Sequence, residues 1–134
     1  MTFQPLKKAT LLMPSGPPGD PERLHLWVIL TDPCDLEANI IVSLSTLHRD
    51  RFHDPSCIVE AGEHRRVTAR SWANYRLARA VPTRNLVKGE AAWYYRMDAP
   101  VSDTLYEKLC KGLLESEHTT IRLRRYFEGK ASAF

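Results

Sequence analysis

Few residues in this chain have the types and spacing to do chemistry. His53-Asp54 and Glu63-His64 each set an imidazole beside a carboxylate in a polar stretch, and Arg65 and Arg66 follow the second pair directly. His25 stands at the mouth of an apolar run, Leu26-Trp27-Val28-Ile29-Leu30. An imidazole titrating near pH 6.5 serves as either proton donor or acceptor, and a guanidinium fork fits phosphate oxygens. Metal-free RNA cleavage needs this equipment. It must take a proton from a 2′-hydroxyl, return one to the departing 5′-oxygen and stabilise charge on phosphorus. A plainer reading makes His53 and His64 exposed loop residues, with Asp54 capping the turn before Pro55.

A second feature is the distribution of charge. The 134 residues carry 19 basic and 16 acidic groups, a net charge too small to mean much as a total. Yet six arginines, Arg65, Arg66, Arg70, Arg76, Arg79 and Arg84, lie in a stretch without one acid, interleaved with Trp72 and Tyr75. Such a stretch suits single-stranded nucleic acid, phosphates on arginine and a base on an aromatic ring. It equally suits a solvated strand edge whose arginines discourage sheet-to-sheet association, with the two aromatics in the core. A smaller cluster, Arg122, Arg124 and Arg125, precedes Tyr126 and Phe127.

Other chemistry has less support. His53, Cys57 and His64 match no standard zinc spacing, so no metal is expected. With no dinucleotide fingerprint, phosphate loop or Ser/His/Asp spacing, no cofactor is expected either. Three cysteines without a CxxC pair fit reduced thiols and a cytoplasmic protein. No apolar run approaches the roughly 18 residues of a membrane span, and the first residues lack a signal-peptide pattern.

The elements that must position these groups read as mainly β. At 43% apolar and 26% charged, residues 1–134 form one globular domain. Ala9 to Met13 is a first strand, stopped by Pro14 and the Pro/Gly loop up to Pro21. Leu24 to Thr31 is almost continuously apolar, as a strand covered on both faces would be. Asn39 to Thr46 alternates, His48 to Ser56 is a loop, and Cys57-Ile58-Val59 is a short strand. The stretch 67–81 fits a helical or a strand pattern; a turn around Arg70-Ser71-Trp72 and a strand from about Asn74 to Val81 agree best with the stop at Pro82.

Trp93 to Met97 reads as another strand, with aromatics on both faces and one face a candidate interface. Leu105, Tyr106, Leu109, Cys110, Leu113 and Leu114 make one helical stripe after the N-cap candidates Ser102 and Asp103, with Thr104 and Glu107 spaced as a capping box. Gly112 within that helix implies close packing against the sheet. The alternation of Ile121 and Leu123 with Arg122 and Arg124 suggests a last strand or extended basic tail over 119–134. The sum is a small, strongly bent antiparallel sheet or barrel, about residues 9–98, with an amphipathic helix at about 102–116.

This order of elements resembles the small SH3-like barrel toxins of bacterial toxin–antitoxin modules, the MazF/PemK/CcdB group. The likeness rests on the early strand and its Gly/Pro loop, the stretches Arg23-Leu24-His25-Leu26-Trp27-Val28-Ile29-Leu30-Thr31 and Ile40-Ile41-Val42-Ser43-Leu44-Ser45-Thr46, and the helix opening Pro100-Val101-Ser102-Asp103. It implies a metal-independent endoribonuclease acting on single-stranded RNA, a homodimer, and an acidic or DNA-binding antitoxin as partner. Its active-site arginine and hydroxyl would fall on Arg23 or His25 and on Thr46 or Ser45, with His53 a further proton-transfer candidate. The family's Arg-Pro pair before the strand is absent here. His25 stands nearest that arginine's place, and Arg23 lies two residues earlier on the same face of the pleat. The runner-up reading is a non-catalytic interaction or nucleic-acid-binding protein on the same barrel.

Overall fold

A computed structural model describes residues 2–35 and 37–133. It is mainly β, with strands β1 (Thr10–Pro14), β2 (Leu24–Ile29), β3 (Ala38–Thr46), β4 (Ile58–Val59), β5 (Ser71–Pro82) and β6 (Arg96–Asp98), and helices α1 (Thr83–Ala91), α2 (Asp103–Glu115) and α3 (Ile121–Phe127). The strands form one antiparallel sheet in the order β4-β5-β3-β2-β1-β6. No helix among the described residues is long and apolar enough to cross a membrane.

The sheet has two covered faces, which explains the unbroken apolar run of β2. On one face Leu26, Val28, Ile40, Val42, Leu44, Ala73 and Tyr75 pack against Leu105, Leu109 and Leu113 of α2 and Leu123 of α3. On the other, Leu11, Met13, Trp27, Ile29 and Ile41 pack around Leu86 of α1. Strand alternation sends Trp27 and Ile29 to one core and Leu26 and Val28 to the other.

Strong curvature follows from where the sheet's ends meet. Six strands at about 4.8 Å spacing would put flat edges roughly 24 Å apart. Instead the turn after β4 bonds to β6. Arg65 donates to both Asp98 oxygens at 2.6 and 3.0 Å, Arg66 donates at 2.7 Å, and the His64 ring lies 2.7 Å from the carbonyl of Ala99. The result is a curled half-barrel whose seam is bridged by side chains, with α2 on its concave face. Asp98, with a side chain 1% exposed, is held well below the usual carboxylate range, chiefly by Arg65 and then by Arg66 and the Ala99 amide, against the opposing effect of burial.

Several local readings change, and one helix appears where no element was read. Residues 119–134 contain the helix α3 rather than a strand or extended tail, because Thr120 caps it by accepting from the Leu123 amide and Leu123 is drawn into the core. The segment after Pro82 is the helix α1, with no side-chain cap to announce it. Trp93 to Tyr95 is not a strand: the amides of Trp93, Tyr94 and Tyr95 bond to Glu90 and Gly89 carbonyls and close α1, so the last ladder begins only at Arg96. Strand β5 starts at Ser71 and is bulged, with Ile41 and Ser43 of β3 facing Arg79 and Asn74, five positions apart. Of the cap candidates, Ser102 caps α2 by accepting from the Leu105 amide, while the Thr104–Glu107 pair lies inside the helix.

Two outcomes test this packing. A Cβ at Gly112 would fall inside van der Waals contact of Tyr75 Oη, a buried hydroxyl that donates to the Leu109 carbonyl. Gly112→Ala gains about 1 kcal/mol of helix propensity but overpacks a filled site at a cost of about 1–3 kcal/mol, so urea unfolding should show net destabilisation. Asp98→Ala should lower stability by about 2 kcal/mol, the scale of hydrogen bonds to a charged group. In the parent protein that contribution is complete above the unfolded carboxylate pKa near 4 and is lost as acid protonates the folded carboxylate; the variant's unfolding midpoint should therefore be less sensitive to acid below pH 4.

Candidate functional site

At one open end of the half-barrel the strand termini surround a cleft of about 390 Å³. Its wall holds Arg23 just before β2 and His25 within it, Ser45 and Thr46 from the end of β3, and Ser71 and Trp72 from the start of β5. Arg66 from the seam and His48, Arg51 and Phe52 from the β3–β4 loop complete it, over an apolar floor that includes Leu12, Leu26, Leu44 and Val67. Antiparallel order brings these ends together, since β2 begins where β3 ends and β3 ends where β5 begins.

His25 has the most specific environment. Its Nδ1 lies 3.0 Å from Ser15 Oγ, which also approaches the Met13 carbonyl at 3.0 Å and receives the Trp27 indole N–H at 3.1 Å. A hydroxyl has one proton and two lone pairs. If that proton goes to Met13, the carbonyl is satisfied and Ser15 accepts from both Trp27 and His25 Nδ1–H, leaving His25 Nε2 as a proton acceptor. Burial, and secondarily the positive charge of Arg23, lowers the His25 pKa below its usual 6.5. At neutral pH this imidazole is therefore uncharged and oriented by a neighbour, as a general base requires.

Arg23 is placed by the Pro/Gly loop. The Ser15 amide donates to the Arg23 carbonyl at 2.8 Å, and Gly16 is needed because a Cβ there would strike the Asp20 carbonyl and Arg23 Cβ. Arg23 pairs with Asp20 at 3.0 Å, both side chains about half exposed. Such a pair is worth about 0–1 kcal/mol, so a phosphate can displace the carboxylate. Among the described residues no carboxylate lines the cleft, while three arginines do.

The β3–β4 loop is held from below. Buried Asp54 accepts from the Ser56 amide and hydroxyl and from Ser116 Oγ, which in turn accepts from the His118 amide. Burial raises its pKa, but hydrogen bonds from Ser116 and Ser56, with His118 nearby, outweigh this and leave it lowered. Asp54 thus does more than cap a turn. It ties the loop carrying His48 and Arg51 to the end of α2.

Of the other sequence candidates, Arg66 and Trp72 line the cleft and the rest disperse. His53 is packed against Trp72 and lies outside the cleft lining, and Trp72 is 8% exposed. Tyr75 is a core residue, 1% exposed, and offers no ring to a base. Arg65 and Arg66 are bound to Asp98, and Arg70 pairs with Glu60 at 3.1 Å. Arg76 lies over the Phe52 ring and Arg79 over the Trp27 ring, at 4.3 and 4.8 Å. His64 is buried, with its ring nitrogens against the Ala99 carbonyl and the Arg66 amide, so it belongs to the seam. Among the described residues no three His, Cys, Asp or Glu side chains form a metal-holding group. Ser15, His48, Arg51 and Ser71 join the site without having been singled out; the run His48-Arg49-Asp50-Arg51 was the available signal.

The His25 environment predicts a titration. Followed by NMR, its midpoint should lie below 6.5 and rise in Arg23→Gln without reaching 6.5, because burial remains the larger cause. The chain matches no family model, no curated protein and no solved structure.

Proposed function

We propose that this protein is an endoribonuclease that cleaves single-stranded RNA without a metal ion. The observation that carries the reading is the neutral, Ser15-oriented His25 beside Arg23 in a cleft walled by arginines and hydroxyls. In the reaction His25 Nε2 takes the proton of a 2′-hydroxyl. The freed 2′-oxygen attacks the adjacent phosphorus, the bond from phosphorus to the 5′-oxygen breaks, and His48 returns a proton to that oxygen. The products are a 2′,3′-cyclic phosphate and a 5′-hydroxyl.

Arg23, with Arg51 or Arg66, neutralises charge gathering on the phosphate oxygens, while Ser45 and Thr46 orient the phosphate by hydrogen bonds. The family likeness extends the proposal to a cytoplasmic homodimeric toxin held in check by an acidic or DNA-binding antitoxin, whose carboxylates would suit the same basic rim.

Incubation with a long RNA in EDTA should yield discrete fragments ending in 2′,3′-cyclic phosphate. Loss of a general base typically costs at least about 100-fold. His25→Ala should therefore lower the cleavage rate about that much, Arg23→Ala should also be slow, and Arg122→Ala, on α3 outside the cleft, should cleave normally. The acid limb of the pH–rate profile should fall below pH 6.5, following the lowered His25 pKa. Intact RNA at high protein concentration would overturn the enzymatic reading and leave a binding protein.

A further inference from the structure

Beside the cleft, on the convex face of the sheet, lies a second hollow of about 310 Å³. It shares Arg23, His25 and Ser45 with the first, and Ser43, Asn74, Leu77 and the Pro/Gly loop complete its wall. Ser43 and Asn74 are directly opposed across the β3–β5 ladder, where the bulge of β5 begins. They form a polar pair in a face otherwise occupied by Trp27, Ile29 and Ile41. Asn74 Oδ1 is shielded from solvent and has no hydrogen-bond partner. An acceptor left in that state costs about 1–3 kcal/mol, which a ligand N–H would recover once the side-chain amide turns toward the hollow.

From these facts we infer that the convex hollow is a nucleobase subsite, in which Asn74 reads the hydrogen-bonding edge of the base flanking the phosphate held in the main cleft. This inference rests on the RNA reading above and extends it to sequence preference. Four features support a base as the occupant. Asn74 offers an amide, whose acceptor and donor complement the donor–acceptor edge of a base, as asparagine does with adenine. The Ser43 hydroxyl adds a second polar group opposite it. The shared wall of Arg23, His25 and Ser45 makes the hollow continuous with a place for the sugar and phosphate. Exposed Leu77 at its lip gives the base an apolar surface to rest on.

The test uses fluorescently labelled 2′-O-methyl hexamers of A, C, G and U, which lack the attacking hydroxyl and cannot be cut. Anisotropy titrations of the parent protein should show one hexamer preferred by about tenfold or more. Asn74→Ala should bind all four with similar affinity. Asn74→Asp, which replaces the amide donor by an acceptor, should move the preference toward G, whose edge presents two N–H donors. Equal affinity of the parent protein for all four, or an unchanged ranking in both variants, overturns the inference. Because no cleavage is involved, a base preference that depends on Asn74 in a protein that leaves RNA intact would sink the nuclease reading and keep the subsite.

Discussion

Asp98 gathers two guanidinium groups and a backbone amide at the seam of the curled sheet, and much of the molecule's geometry depends on that junction. A strand order with β4 and β6 at opposite ends does not by itself bring those edges together. The carboxylate does so by taking charge-assisted hydrogen bonds from the turn after β4, while His64 spans the same gap to a carbonyl. Bonds of this kind are about twice as strong as neutral ones, which suits a seam that lacks a continuous backbone ladder. Arg66, fixed there on one side, reaches the cleft on the other, so bridging the seam of the half-barrel and charging its open end are one act.

The cleft is a consequence of where antiparallel strands begin and end. Each turn of the chain at that end contributes a polar residue over an apolar floor, and two distant anchors hold the walls still. Ser15 fixes the His25 ring through a hydroxyl saturated by three neighbours. Asp54 fixes the β3–β4 loop by binding Ser116, 62 residues further along the chain. Preorganisation of this kind is what electrostatic stabilisation of a phosphate requires, because the groups need not rearrange as charge develops.

The parts of this architecture legible in the sequence are those set by local pattern. The alternation of Asn39 to Thr46, the doubly apolar run of β2, the stripe of α2 and the glycine forced on that helix by Tyr75 all follow from periodicity and size. Local pattern misled where tertiary contacts decide. Ile121 and Leu123 alternate like a strand, but a threonine cap and one buried leucine make a helix. The bulge of β5 breaks its period, which is why Trp72, Arg76 and Arg79 also fit a helical face. The arginine-rich stretch looked like one surface, yet Arg65, Arg66, Arg70, Arg76 and Arg79 divide between the seam, an exposed ion pair and two aromatic rings. Arg23, His25, Ser45 and Thr46 do share one cleft. Their hydrogen-bond partners, Ser15 above all, depend on a loop path that no residue pattern encodes.

The central claim is that the open end of the half-barrel holds a sugar–phosphate backbone. Backbone and imidazole NMR signals, followed as an uncleavable mixed-sequence 2′-O-methyl RNA is added, test it most directly. The account predicts salt-sensitive shifts centred on Arg23, His25, Ser45, Thr46, His48, Arg51 and Ser71, with α3 undisturbed. Shifts centred instead on Arg122 and Arg125, or no shifts at saturating RNA, would contradict it.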